Sequence, residues 1–94
     1  MSVEVRVTAV LQRVVGGEKA VSSEGETISE LLDNLERTYP GFKAQIMAED
    51  GQLHRFVNIY KNDEDIRYLN QLDTPLSQGD VVSILPALAG GAWS

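Results

Sequence analysis

The chain has 94 residues, no cysteine, one histidine and a formal net charge of −6 at pH 7. This length fits one small domain, and the composition excludes disulfides, thiolate metal sites and a cysteine nucleophile, while a zinc site made of side chains is disfavoured. The acidic charge argues against nucleic acid as a partner, and the lack of a long apolar run or a leader-like N-terminus predicts a cytoplasmic protein without membrane contact.

The N-terminal part is predicted to form a β-hairpin. Polar and apolar residues alternate at the start of residues 3–11, and the pattern then becomes wholly apolar, which is typical of a half-buried strand. Gly16-Gly17 predicts a turn, after which residues 19–22 can return as a second strand.

A helix is predicted to begin at Thr27. Thr27 and Glu30 fit a capping box, in which the Thr27 hydroxyl accepts a free backbone N–H and the Glu30 carboxylate reaches back to the N–H of Thr27. Pro40-Gly41 ends the helix, because proline disfavours helical geometry in the residue before it. The apolar residues at helical spacing are predicted to form the centre of the core: Ile28, Leu31, Leu32, Leu35 and Tyr39.

The second half of the chain is predicted to consist mainly of strands. The expected elements are a short helical turn at 42–47, a strand at 56–60, an acidic turn at 62–65, a short strand at 66–68 and a strand at 81–85 that ends at Pro86. Strands on both sides of one main helix predict a two-layer α+β fold, a mixed sheet with the helix across one face. We expect a domain over residues 1–87 followed by a flexible tail, 88–94.

Three segments carry a resemblance to a known family. Residues 53–60 read LHRFVNIY, residues 62–67 read NDEDIR, and residues 84–91 read ILPALAGG. Together they resemble the ubiquitin-like sulfur carrier proteins, the ThiS and MoaD family, and within it most nearly the carrier of cysteine biosynthesis. The resemblance extends over residues 3–91 and implies the ubiquitin-like β-grasp fold.

The resemblance implies chemistry at the carboxyl group of Gly91. An E1-like adenylating and sulfurtransferase enzyme would activate this carboxylate with ATP and Mg and convert it to a thiocarboxylate, so the protein is a carrier and co-substrate rather than an enzyme. The acceptor would be a pyridoxal-phosphate cysteine synthase, or another sulfur-incorporating synthase. We expect Leu88, Ala89 and Gly90 to contact these partners, and Gly90 and Gly91 lack a Cβ, so this arm is thin enough for a narrow slot.

The chain continues beyond Gly91 with Ala92-Trp93-Ser94, which keep the carboxyl of Gly91 in a peptide bond. The favoured interpretation is a pro-form that a zinc metalloprotease of the JAMM type cleaves between Gly91 and Ala92. The alternative is an artificial tail. A further possibility is that Trp93 packs on a partner as an aromatic anchor.

Other polar and aromatic residues have weaker functional interpretations. His54, the only histidine, is predicted to have a surface or hydrogen-bonding role rather than a catalytic one. Residues 63–65 are predicted to form a solvated turn, since they lack the glycine and distal glutamate of a calcium loop. Arg55 and Arg67 are candidates either to pair with these acids or to lie near the docking face. Phe56 and Tyr60 share one side of their strand: they form an apolar docking patch if that side faces away from the helix, and core if it faces inward.

Two other functions remain open. The sulfur could be delivered to a different acceptor, such as a thiolated cofactor or a natural product, with no change expected in the body of the sequence. Alternatively, the protein is a ubiquitin-like modifier whose Gly91 is attached to lysines of target proteins. An independent enzyme is disfavoured because no pairing of nucleophile and base is evident.

Overall fold

The computed structural model describes residues 2–8, 10–48, 51–54 and 57–86. Its strands are β1 (Ser2–Val7), β2 (Ala20–Glu24), β3 (Val57–Lys61), β4 (Glu64–Asp65) and β5 (Val81–Pro86). Its helices are α1 (Val10–Val14), α2 (Ile28–Thr38) and α3 (Phe42–Ile46), followed by two 3-10 turns, Ile66–Tyr68 and Gln71–Asp73.

The strands form one mixed five-stranded sheet in the order β2-β1-β5-β3-β4. β1 pairs with β2 antiparallel and with β5 parallel, and β5 pairs antiparallel with β3 on its other side. With α2 packed across one face, this is the ubiquitin-like β-grasp, so the predicted fold class is confirmed. The first and last strands are neighbours in the centre of the sheet.

The core lies between the sheet and the helices. The inward residues of β1 alternate with exposed ones, as the period-two pattern predicts. Four of the five residues predicted for the α2 stripe are buried, and Tyr39 is half-buried. Burying these four aliphatic side chains is worth roughly 6–12 kcal/mol before entropy is subtracted. The buried residues are Val3, Val5, Val7, Leu11, Val15, Ile28, Leu31, Leu32, Leu35, Phe42, Ile46, Val57, Ile59, Ile66, Leu76, Val82 and Ile84.

The predicted cap of α2 is confirmed in one half and wrong in the other. The Thr27 hydroxyl accepts the backbone N–H of Glu30 at 3.2 Å. The Glu30 carboxylate, however, accepts the N–H of Glu26 at 3.2 Å and not that of Thr27. Backbone bonds from Ile28 to Thr74 and from Leu76 to Glu26 hold this segment extended, and in that geometry the Glu26 N–H faces the carboxylate.

The prediction of one strand over residues 3–11 is wrong at its end. β1 ends at Val7, and the apolar residues beyond Ala9 lie on α1. Leu11 and Val15 are both buried, and the N–H of Val15 donates to the Leu11 carbonyl at 3.2 Å. A spacing of four places both side chains on one side of a helical turn, whereas a strand would have placed Val10 and Leu11 on opposite faces.

The acidic segment also differs from its prediction. Asn62 and Asp63 have φ values of 50° and 72°, so the chain reverses in two residues, and pairing with β3 resumes at Glu64 instead of Ile66. The Asp65 carboxylate accepts the backbone N–H of Arg67 at 2.9 Å and caps a 3-10 turn where a short strand was predicted. The predicted helical turn at 42–47 and the strands at 19–22 and 81–85 are confirmed within one or two residues.

Candidate functional site: the end of the last strand

β5 carries the chain out of the centre of the sheet. It has a hydrogen-bonded neighbour on each side, and its inward residues Val82 and Ile84 are fully buried. Its last residue, Pro86, lies opposite Val57 of β3. The segment that follows Pro86 therefore begins from a fixed position. The predicted site residues Leu88, Ala89, Gly90, Gly91 and Ala92 lie outside the described residues, so their roles stay predictions.

A network of side chains fixes the start of β5. The Asp80 carboxylate accepts the backbone N–H of Ser77 at 2.7 Å and a side-chain amide N–H of Asn62 at 3.0 Å. The side-chain amide oxygen of Asn62 accepts the backbone N–H of Val81 at 2.9 Å. Burial raises the pKa of Asp80, but these hydrogen bonds and the Lys61 ammonium at 3.8 Å outweigh it, so the pKa lies below its ordinary value. The register of β5, and with it the position of Pro86, is fixed from this end.

Tyr60 lies on the outer face of the sheet, defined here as the face away from α2. Along β3 the buried residues are Val57 and Ile59, and Tyr60 alternates with them. Tyr60 is paired across the sheet with Ser83, and together with Asp63 and Leu85 they line a shallow depression of about 210 Å³. The docking alternative is therefore favoured for Tyr60 over the core alternative. Phe56 lies outside the part of the chain that the structure describes.

Charged side chains on this side of the molecule are paired locally. The Arg6 guanidinium contacts the Glu4 carboxylate at 2.6 Å, and this hydrogen bond and charge raise the pKa of Arg6. The exposed ion pair contributes little stability. The outer face of β1 therefore presents charged side chains at Glu4 and Arg6.

Arg67 pairs with Asp65, as the sequence suggested, whereas Arg55 lies outside the described residues. The Nη2 of Arg67 donates to the Asp65 carboxylate at 2.8 Å and also to the side-chain amide oxygen of Asn58 at 2.6 Å. The Arg67 side chain and then its backbone N–H hold the pKa of Asp65 below its ordinary value. Residues 63–65 thus form a turn and an ion pair, and within the described ranges no group of three His, Cys, Asp or Glu side chains can hold a metal ion.

His54 is exposed and borders a cavity of about 180 Å³ beside β3. The apolar lining comes from Leu53, Val57, Ile59, Ile66 and Leu72, and Asp65 and Arg67 contribute polar atoms. The sequence did not predict this cavity, nor the contact between Asn58 and Arg67. One feature of the sequence could have indicated this contact: Asn58 is the only polar side chain within an otherwise apolar and aromatic run, 56–60.

In the part of the chain that the structure describes, no helix is long and apolar enough to cross a bilayer.

Comparisons with known proteins agree with this geometry. A model of the ThiS family matches residues 5–91. The sulfur carrier protein CysO of Mycobacterium tuberculosis is 45% identical over 93 residues, covering 97% of this chain and 100% of that protein. The small archaeal modifier protein 3 of Haloferax volcanii is 34% identical over 94 residues, with 97% of this chain and 100% of that protein covered.

Among solved structures, a chain of the Amycolatopsis orientalis BexX/CysO complex superimposes with a TM-score of 0.86 at 43% identity. The match covers 95% of this chain and 99% of that chain.

Proposed function

This chain belongs to the ThiS family, and we propose that it is a sulfur carrier protein of the type represented by its CysO relatives. In this proposal the reactive group is the carboxyl of Gly91, exposed after removal of Ala92-Trp93-Ser94. The sulfur is donated for cysteine biosynthesis. The protein is a co-substrate in the cytoplasm and binds no cofactor of its own.

The observation that carries the proposal is the position of β5. A carrier needs a folded body that a partner can hold and a C-terminal segment that enters the partner's active site. Here the last described residue, Pro86, ends a strand with a neighbour on each side, and the double glycine follows four residues later. The carboxyl of Gly91 is thus five residues along the chain from a strand that is paired on both sides, and Gly90 and Gly91 have no Cβ.

The proposed chemistry follows from the weak electrophilicity of a carboxylate. In the activating enzyme, the Gly91 carboxylate attacks the α-phosphorus of ATP, with Mg bound by that enzyme, and pyrophosphate leaves. A sulfur donor then attacks the acyl-adenylate, AMP leaves, and the product is a thiocarboxylate. Its sulfur is a nucleophile held on a protein, so no free sulfide has to diffuse to the acceptor.

Three partners complete the proposal. A JAMM-type zinc metalloprotease cleaves between Gly91 and Ala92, and an E1-like enzyme adenylates and thiolates the carrier. A pyridoxal-phosphate synthase presents an aminoacrylate to the sulfur; the resulting thioester rearranges to an amide, from which the metalloprotease releases cysteine. Docking uses Leu88, Ala89, Gly90 and the outer-face residue Tyr60, and the net charge of −6 favours partners with basic surfaces.

A protein modifier is the second candidate, because one relative of 34% identity is named as a modifier. In that case the acyl-adenylate of Gly91 passes to a lysine amine and forms an isopeptide bond. Both functions use the same folded body and the same terminal glycine, so the fate of the activated carboxyl separates them.

The test is intact mass spectrometry of the chain recovered from its native cytoplasm, followed by incubation with the activating enzyme, ATP and sulfide. We expect a species that ends at Gly91 and carries the mass change of one oxygen exchanged for sulfur. Conjugates of Gly91 to lysines without a free thiocarboxylate would favour the modifier. If the thiocarboxylate forms but a cysteine synthase does not consume it, delivery to another acceptor replaces cysteine biosynthesis.

A further inference from the structure

Arg67 is an exposed cation held in one orientation. Its side chain is 59% exposed, whereas the side chain of its partner Asp65 is 9% exposed. The Nε–H is directed at the Asp65 carboxylate at 3.2 Å to each oxygen, and Nη2 donates to one of those oxygens at 2.8 Å and to Asn58 at 2.6 Å. A guanidinium has five N–H donors, so the two on Nη1 have no recorded partner within residues 2–8, 10–48, 51–54 and 57–86.

The position of this cation is close to the end of β5. Asn58 lies opposite Leu85 in the pairing of β3 with β5, one residue before Pro86. The hydrogen bond from Arg67 to Asn58 therefore brings the guanidinium to the strand end from which the C-terminal segment departs. Tyr60 is two residues beyond Asn58 in β3 and therefore lies on the same face of the sheet as Asn58, the outer face.

Pairing with Asp65 does not account for the whole arrangement. The Asp65 carboxylate accepts the backbone N–H of Arg67 as well as its side chain. The ion pair itself uses only the edge of the guanidinium that carries Nε and Nη2, so it does not require the further bond to Asn58. The added bond to Asn58 uses the second N–H of Nη2 and restrains the plane of the guanidinium, so the two N–H donors of Nη1 are left for an acceptor outside the described residues. A cation fixed before binding loses less side-chain entropy when it meets an anion.

We propose that Nη1 of Arg67 binds a carboxylate on the docking surface of the activating enzyme and thereby positions the carrier so that its C-terminal segment enters the active site. The inference rests on the proposed function and identifies one contact of that partner. Because this chain is acidic, the docking surface of its partner is expected to be mostly basic. One carboxylate on that surface, opposite Arg67, fixes the orientation in which the carrier docks and disfavours other orientations.

The anion is assigned to the enzyme and not to the nucleotide because of chain length. Gly91 is five residues beyond Pro86, and an extended segment of that length spans about 17 Å. With the segment extended into the active site, the phosphate that reacts at Gly91 is remote from the strand end. An anion beside Arg67 must then belong to the surface that holds the folded body.

The test measures loading kinetics with the purified activating enzyme, ATP and sulfide, using full chain pre-treated with the metalloprotease. The Arg67→Gln variant is compared with Arg37→Gln as a matched control. Arg37 is also exposed, and its Nη2 also donates to the side-chain oxygen of an asparagine, Asn34, but it lies on α2. We expect Arg67→Gln to raise KM for the carrier about tenfold with kcat nearly unchanged, and the effect to shrink at high salt. Arg67→Lys should recover part of the loss, and Arg37→Gln should leave KM within about twofold.

Melting curves of each variant separate docking from folding. If Arg67→Gln does not fold, Asn58→Ala decides, because it removes the orienting bond and leaves the ion pair with Asp65: a raised KM supports the proposal and an unchanged KM overturns it. A folded Arg67→Gln chain with the KM of the original chain or of the Arg37→Gln control also overturns it. In each of these cases the unsubstituted chain still acquires a thiocarboxylate. If the unsubstituted chain forms no thiocarboxylate, that result counts against the proposed function itself.

Discussion

Gly25 lies directly against the backbone of Leu31. A Cβ placed on Gly25 would be 2.5 Å from the Leu31 amide nitrogen and 2.8 Å from its Cα. Gly25 follows β2 and Leu31 lies in the first turns of α2, so the sheet and the helix approach each other here at backbone distance. Glycine is required at this position for space, since its φ is not in the left-handed region.

Gly25→Ala is therefore expected to lower the free energy of unfolding by about 1–3 kcal/mol, the usual cost of overpacking. The methyl group meets backbone, which cannot move aside as a flexible side chain would. Urea unfolding measures the change, with Gln78→Ala on the surface as a control that should stay within about 0.5 kcal/mol. Equal stability of the two variants would mean that the start of α2 shifts without cost.

Leu35→Ala is expected to cost about 2–5 kcal/mol. Leu35 is fully buried in the centre of the apolar face of α2, and its removal leaves a cavity between helix and sheet. The matched control is Arg37→Ala on the same helix, where the side chain is exposed. An unchanged melting curve for Leu35→Ala would contradict the assignment of the buried face.

Asp65 is expected to make stability sensitive to acid. The Arg67 side chain and backbone N–H hold the folded pKa of Asp65 below its ordinary value, and the unfolded carboxyl titrates near pH 3.9. A lowered folded pKa gives stability that is fully present above the unfolded pKa and is lost as pH falls through the folded pKa. Asp65→Asn should thus melt at a lower temperature than the original chain at pH 7, with the gap narrowing below about pH 4. A gap independent of pH would assign the effect to packing.

A chain that ends at Gly90 is expected to fold normally and to accept no sulfur. The buried core of the described residues ends at Ile84, so the loss of residues 91–94 removes none of it, while the reacting carboxyl is moved by one residue. The comparison is a chain that ends at Gly91, which should be loaded. The measurements are melting temperature and intact mass after incubation with the activating enzyme. Loss of folding in the shorter chain would show that the tail is more than an appendage.

Tyr60→Ala is expected to raise KM for the activating enzyme several-fold, because aromatic side chains dominate docking contacts. Tyr39→Ala is the matched control. Tyr39 is also half-buried, but it lies at the end of α2, in the helical layer and not on the outer face of the sheet. Melting curves exclude a folding defect as the cause. Equal KM values for the two variants would remove Tyr60 from the docking surface.

The sequence was sufficient for most of the elements and for the buried residues of β1 and α2. Period-two alternation in β1 and the spacing of four aliphatic residues in α2 are local patterns, and burial follows from them directly. The sequence misled at Val10 and Leu11, since a short apolar run suits a strand or a helical turn equally. It also misled at Ile66, because the positive φ values of Asn62 and Asp63 were not foreseen.

Other features were decided by the tertiary structure alone. Strand parity placed Tyr60 and Asn58 on one side of β3, but only the packing of α2 against Val57 and Ile59 determined that this side is the outer face. The contact of Arg67 with Asn58 joins residues nine positions apart across a strand edge, and the space that requires Gly25 is set by α2. Local patterns predict the buried residues of β1 and α2, whereas contacts between elements depend on the tertiary fold. That fold places Arg67, through Asn58, near the end of β5 and Tyr60 opposite Ser83 on the outer face.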